Sequence, residues 1–225
     1  MSKASCARHR RFQRTVFSVA ALLIGSLLCL GQSPALAPAA AAPSCAARGL
    51  KTLRTTHLVR IFQKRSGDGW FVYGCVRPAG RSFRLGFMGG GFDDELDVLS
   101  IAGPHVAYRW GYAGENFDHF SVSVMDLRSG MVRSTTDDPS PAKIALHPSG
   151  AVAWTTKACL WDTRPRIPGA IKIKRPCRYV VKADALGTRV LEGGPDIAAR
   201  SIRLSGRTVR WTRAGRTHSY VLRLP

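Results

Sequence analysis

The chain has 225 residues, with 34 Lys+Arg against 14 Asp+Glu, a formal net charge of +20 and a pI near 10.8. Hydrophobic residues make up 45 % of it, which excludes a disordered, collagen-like or low-complexity chain. Arginine outnumbers lysine 26 to 8 beside a single asparagine, Asn116, so the basicity follows a general compositional bias and does not by itself name a nucleic-acid partner.

At the N-terminus Lys3, Arg8, Arg10, Arg11 and Arg14 precede an uncharged apolar run over residues 15–31 and the small-residue stretch QSPALAPAAAAPS. That three-part order predicts a secretory signal peptide over residues 1–41, cut after Ala39 or Ala41. Cuts after Ala37 or Ala42 would leave a proline beside the scissile bond. The alternative is an uncleaved anchor, for which about 17 apolar residues is the short limit against a bilayer of roughly 30 Å. Residues 42–225 are expected to form a single exported domain that carries no membrane span. Its net charge of +15 is polarised: residues 43–87 sum to +8, 88–138 to −6 and 139–225 to +13. A separation of this kind produces a field with direction.

Four units come in chain order. The first reads HLVRIFQKRSGDG, WFVYGCV, RPAGRSFRLG; the second DVLSIAG, HVAYRWGYAG, HFSVSVMDL, RSGMVRSTT. The third reads AKIALHPSG, AVAWTTKACLWD, CRYVVKADA, LGTRVLEGG; the fourth SIRLSG, RTVRWTRAG, HSYVLRLP. Val106, Tyr108 and Trp110 share one face of a strand, as do Phe120, Val122 and Val124, so these read as half-buried antiparallel strands punctuated by Gly and Ser. The refrains GPHVAYRW, SGAVAWTT and SGRTVRWTR mark the same strand of successive sheets. Aligning Arg60, Val106, Val152 and Val209 gives steps of 46, 46 and 57, the last lengthened by an insertion at 158–176. A period of about 40–50 residues with four strands per unit is propeller-blade spacing.

The fold class expected is therefore all-β: a propeller-like array of about four small antiparallel sheets, incomplete or open, stapled by disulfides. The aromatic of each refrain is expected to pack between neighbouring sheets, and the first and last units to be incomplete. Open edges would offer oligomer contacts, which Arg210 and Arg213 on the last strand are expected to discourage.

Residues 124–154 carry a resemblance. Asp126, Leu127 and Gly130, then Pro148, Gly150, Val152, Ala153 and Trp154, fit the "V-x-D-L-x-x-G" and "P-x-G-x-x-[VI]-A-[FW]" halves of the TolB-type and WD-repeat-like propeller repeat. The whole chain also resembles a class of secreted actinobacterial proteins with a cysteine-containing first unit and an "RLSG-x-x-x-x-W-T" ending, here residues 203–212. The resemblance implies a fold, and a scaffold for binding more often than a housing for an enzyme.

Four cysteines lie beyond the leader: Cys45, Cys75, Cys159 and Cys177. An even number in an exported domain argues for two disulfides, with three connectivities open. Local pairing is favoured, Cys45 pinning the N-terminus to the Cys75 strand and Cys159–Cys177 closing the long loop, each worth about 3 kcal/mol by chain entropy. Spacings of 30, 84 and 18 contain no Cys-x-x-Cys pair of a zinc site.

Residues 164–182 hold seven cations (Arg164, Arg166, Lys172, Lys174, Arg175, Arg178, Lys182) and no acid, with Trp161 alongside. This is the candidate site for a polyanion such as an acidic glycan, teichoic acid or DNA. The plainer reading is a solvated hairpin with Ile171 and Ile173 packed inward. GGGFDDELD clusters Asp93, Asp94, Glu95 and Asp97 but lacks the ligand alternation of a calcium loop. It reads as a solvated connection or an internal partner of the basic loop. His57, His105, His119, His147 and His218 are scattered, and Asp118–His119 beside Ser121 and Ser123 lacks a nucleophile elbow; Walker and His-Glu-x-x-His motifs are absent from the sequence, and no cofactor is expected.

Three functions are consistent with this pattern. The first is an exported non-catalytic binding or scaffold module for a protein or glycan ligand, secreted or wall-associated, with loops 111–119 and 158–177 forming its binding end. The second is polyanion binding through residues 164–182. The third is a hydrolase of unknown type, its groups drawn from different units.

Overall fold

A computed structural model describes residues 43–77, 81–89, 93–113, 118–137, 141–156 and 178–225. All of them belong to the compact unit Ala41–Pro225.

Four antiparallel sheets succeed one another along the chain, each a meander with its strands in sequence order. Sheet I is β1 (Lys51–Thr55), β2 (Val59–Ser66), β3 (Gly69–Val76) and β4 (Ser82–Met88). Sheet II is β5 (Asp93–Ala102), β6 (His105–Ala113), β7 (Asp118–Asp126) and β8 (Met131–Asp137). Sheet III is β9 (Pro141–Leu146), β10 (Val152–Thr156), β11 (Tyr179–Asp184) and β12 (Gly187–Gly193). Sheet IV is β13 (Arg203–Ser205), β14 (Thr208–Arg213) and β15 (Arg216–Val221). None closes on itself, and the described residues contain no helix.

The refrains fall where the repeat places them: β2, β6, β10 and β14 are each the second strand of a sheet. Their aromatics Phe62, Tyr108, Trp154 and Trp211 are at most 5 % exposed. Tyr108 lies in the apolar cluster that joins sheets I and II, Trp154 in the one joining II and III, and Trp211 in the one joining III and IV. Each therefore faces the preceding sheet. The first strands also touch, β5 with β9 and β9 with β13.

Stacking explains a correction to the half-buried reading. Sheet III is covered on both sides, so β10 is buried at all five positions and β11 at its first five, the pattern of a doubly covered strand. β14, in the terminal sheet, keeps alternation between Val209 and Trp211 inside and exposed Arg210 outside.

Three further expectations are revised. Unit one forms a complete four-stranded sheet. β14 is the centre of sheet IV, so Arg210 and Arg213 do not guard an edge; the edges are β13 and β15. β6 and β7 pair as far as Ala113 and Asp118, which confines the connection expected at 111–119 to residues 114–117.

Phe62 has no preceding sheet to face. It packs instead with the Cys45–Cys75 disulfide, which pins residues 43–50 across the outward side of sheet I. Arg60, standing where the later units have valine, explains how. Its guanidinium donates to the Cys45, Ala47 and Leu50 carbonyls at 2.8, 3.2 and 3.2 Å, and its Nε donates to Thr52 at 3.0 Å. A fork of five donors satisfies carbonyls that no neighbouring strand pairs.

Candidate functional site

Most of the basic loop, with Trp161, Arg164, Arg166, Lys172, Lys174, Arg175, Cys159 and Cys177, lies outside the described residues. Arg178 lies inside and donates to the Ile197 carbonyl at 2.8 Å. Lys182 leaves the group expected to meet a polyanion. It sits on β11 with its side chain wholly buried, where its ammonium donates to Asp184 and to the Gly187 carbonyl. Burial tends to raise the Asp184 pKa, but the Lys182 bond and the Arg223 and Leu186 amides outweigh it and hold the carboxyl below its ordinary value. An ion pair sealed in this way is structural, not a receptor for solvent-borne charge.

The acidic cluster is likewise strand and not connection: β5 begins at Asp93. Glu95 and Asp97 share one face, and each carboxylate lies 2.7 Å from the Arg109 guanidinium on β6. Their partner is within the fold, on the adjacent strand. Among the described residues no group of His, Cys, Asp or Glu gathers at metal-binding geometry.

A second buried polar hub lies between sheets II and III. His105, 1 % exposed, contacts the Pro148 carbonyl at 2.8 Å through Nδ1 and Asp126 at 3.6 Å through Nε2. Burial lowers the His105 pKa against the upward pull of Asp126. The Arg128 side-chain bond holds the Asp126 carboxyl far below the ordinary aspartate range. Gly150, at φ +91°, is required here: a Cβ would lie 2.8 Å from the His105 ring. Asp126 also accepts from the Arg128 amide at 3.0 Å, as Asp184 accepts from Leu186 at 2.9 Å. Both aspartates thus close the hairpin after the third strand of a sheet.

The feature best suited to a ligand is a cleft of about 450 Å³ between sheets I and II, lined by Leu53, Arg54, Met88, Leu96, Asp97 and Val98 among others. Two tryptophans are cross-strand partners of residues that line it. Trp70 is paired across strands with Met88, and Trp110 with Leu96. They are 37 % and 38 % exposed, unusual for so large an apolar side chain. Trp110 is seated by Gly86, where a Cβ would approach its ring to 2.9 Å. A lining of aliphatic side chains with Arg54 and Asp97, next to strands that bear two exposed indoles, suits a ligand cleft. The exposed Trp70 and Trp110 have no separate signal in the sequence, because WFVYGCV and HVAYRW read as core strands.

Neither a known family model nor a curated protein matches this chain.

Proposed function

We propose that this protein is an exported, non-catalytic binding module whose cleft between sheets I and II takes a stretch of polysaccharide. The observation that carries this is the pair of exposed tryptophans, Trp70 and Trp110, whose cross-strand partners Met88 and Leu96 line the cleft. The C–H faces of a pyranose ring carry partial positive charge and suit the negative face of an indole. Arg54 at the cleft is available for its hydroxyls. Export is supported by the leader-like N-terminus and by the Cys45–Cys75 disulfide, a bond of oxidising compartments. The stacked-sheet architecture supports a propeller-like reading of the repeat.

Affinity electrophoresis and calorimetry against a panel of soluble polysaccharides test the reading. Binding to at least one, with quenching of tryptophan fluorescence, is expected, and Trp110→Ala or Trp70→Ala should weaken it roughly 10–30-fold, the usual cost of removing an aromatic anchor. Wild-type affinity in both variants, or no retention by any polysaccharide, sinks it.

A further inference from the structure

The outward face of sheet I carries a row of aromatic rings. Phe62 stacks on Tyr73 at 5.7 Å, Tyr73 meets Phe71 edge-on at 6.4 Å, and Phe71 meets Phe87 at 5.0 Å. Residues 43–50 cover the Phe62 end of this row through Cys45 and Leu50. Phe71 and Phe87 continue it toward the end of the sheet where β2 turns into β3 and β4 stops. At that same end Trp70 and Met88, their immediate chain neighbours, are paired on the opposite face, where Met88 lines the cleft. One edge of sheet I therefore presents aromatic surface on both sides.

Cations accompany it. The Arg84 guanidinium lies 5.1 Å over the Phe71 ring, Lys64 is the cross-strand partner of Phe71, and Arg65 that of Trp70. None of the three makes an ion pair among the described residues, and residues 43–87 contain one acid, Asp68, against nine cations. A guanidinium over a ring keeps N–H donors that match the two oxygens of a carboxylate.

We propose that the polysaccharide bound at the cleft is a carboxylate-bearing one, which crosses this edge of sheet I and places its acid groups on Arg84 and Lys64 of the outward face. The proposal rests on the cleft reading and adds the charge class of the polymer. Its basis is charge complementarity: the cleft's carboxylate, Asp97, and the neighbouring Glu95 are neutralised by Arg109, whereas Arg84 and Lys64 are exposed and lack an acid partner among the described residues. Nucleobases are less well served, because the Phe71 face that would stack a base is already occupied by Arg84.

The experiment compares polygalacturonate, the same polymer with its carboxyls reduced to alcohols, and oligo-deoxythymidine. The proteins are wild type, the Lys64→Gln/Arg84→Gln double variant and Trp110→Ala. Wild type should bind polygalacturonate at least about tenfold tighter than the reduced polymer at low salt, an advantage that shrinks as salt rises. The double variant, with surface substitutions and an unchanged melting temperature, should bind both polymers alike, while Trp110→Ala should weaken both by a similar factor. Equal wild-type affinity for the two polymers overturns the acidic proposal and leaves the cleft reading standing. Tighter binding of oligo-deoxythymidine makes the face a phosphate reader and overturns it equally. Failure to bind either polymer overturns the acidic proposal, while the cleft reading falls only if the whole polysaccharide panel fails as well.

Discussion

His105 and Lys182 show how a buried polar residue acts according to its partners. Burial lowers the His105 pKa below 6.5, so as pH falls the unfolded chain takes up this proton before the folded one. Its contribution is whole above pH 6.5 and is lost progressively below it. Asp126, depressed by Arg128, behaves in the opposite range: its contribution persists above the ordinary value of 3.8 and is lost only in strong acid. Urea midpoints measured between pH 7.5 and 5 should therefore fall in the wild type, and His105→Gln should flatten that fall. An identical slope in both would refute the assignment.

At Lys182 the pairing decides the outcome of mutation. Asp184→Asn leaves a wholly buried ammonium without its carboxylate and Lys182→Met leaves a wholly buried carboxylate without its ammonium, so each should cost about 3–5 kcal/mol. Chemical denaturation of the two variants checks this. Neither should change retention on an anionic polymer.

At the scale of elements, each sheet repeats one plan and the departures have local causes. The second strand bears the inward aromatic, and in sheets II and III an aspartate ends the third strand and closes its hairpin. Sheet I keeps the aromatic, Phe62, but replaces valine by Arg60, since only the N-terminal segment lies over that face. Removing the disulfide by Cys45→Ser/Cys75→Ser, a closed loop of 30 residues, should lower stability by roughly 3–4 kcal/mol. Arg60→Met should add to it through three carbonyls left without a donor. Melting curves of the single and combined variants measure both, and additivity would show the two ties to be independent.

For the whole stack, the two outward faces decide how copies of the chain meet. Sheet IV ends in a polar face with Arg203 and Arg210 paired across strands, and the outward aromatic face of sheet I carries the cations Lys64 and Arg84. Head-to-tail stacking would press like charges together, so the terminal faces act as polar caps do in other repeat arrays. Light scattering should show a monomer at low salt, and Arg203→Glu/Arg210→Glu should introduce concentration-dependent association. A wild-type dimer at low salt would overturn the capping role of these faces.

How far these features can be read from the chain differs between fold and site. The repeat is legible because each valine–aromatic strand must present the same buried face to the sheet before it, so packing writes itself into spacing. The Cys45–Cys75 pair is legible because one cysteine lies on a loose N-terminus and the other on a strand of the same unit. Lys182 reads as surface in the sequence because a basic run shows charge but not which side chain turns inward to an aspartate. Trp70 and Trp110 read as core because exposure depends on where one sheet ends against the next. Local pattern thus determined the number and order of the sheets. Which aromatics and cations are left uncovered was decided only by how the sheets stack, since solvent exposure at a sheet's rim is a property of two neighbours and not of one strand.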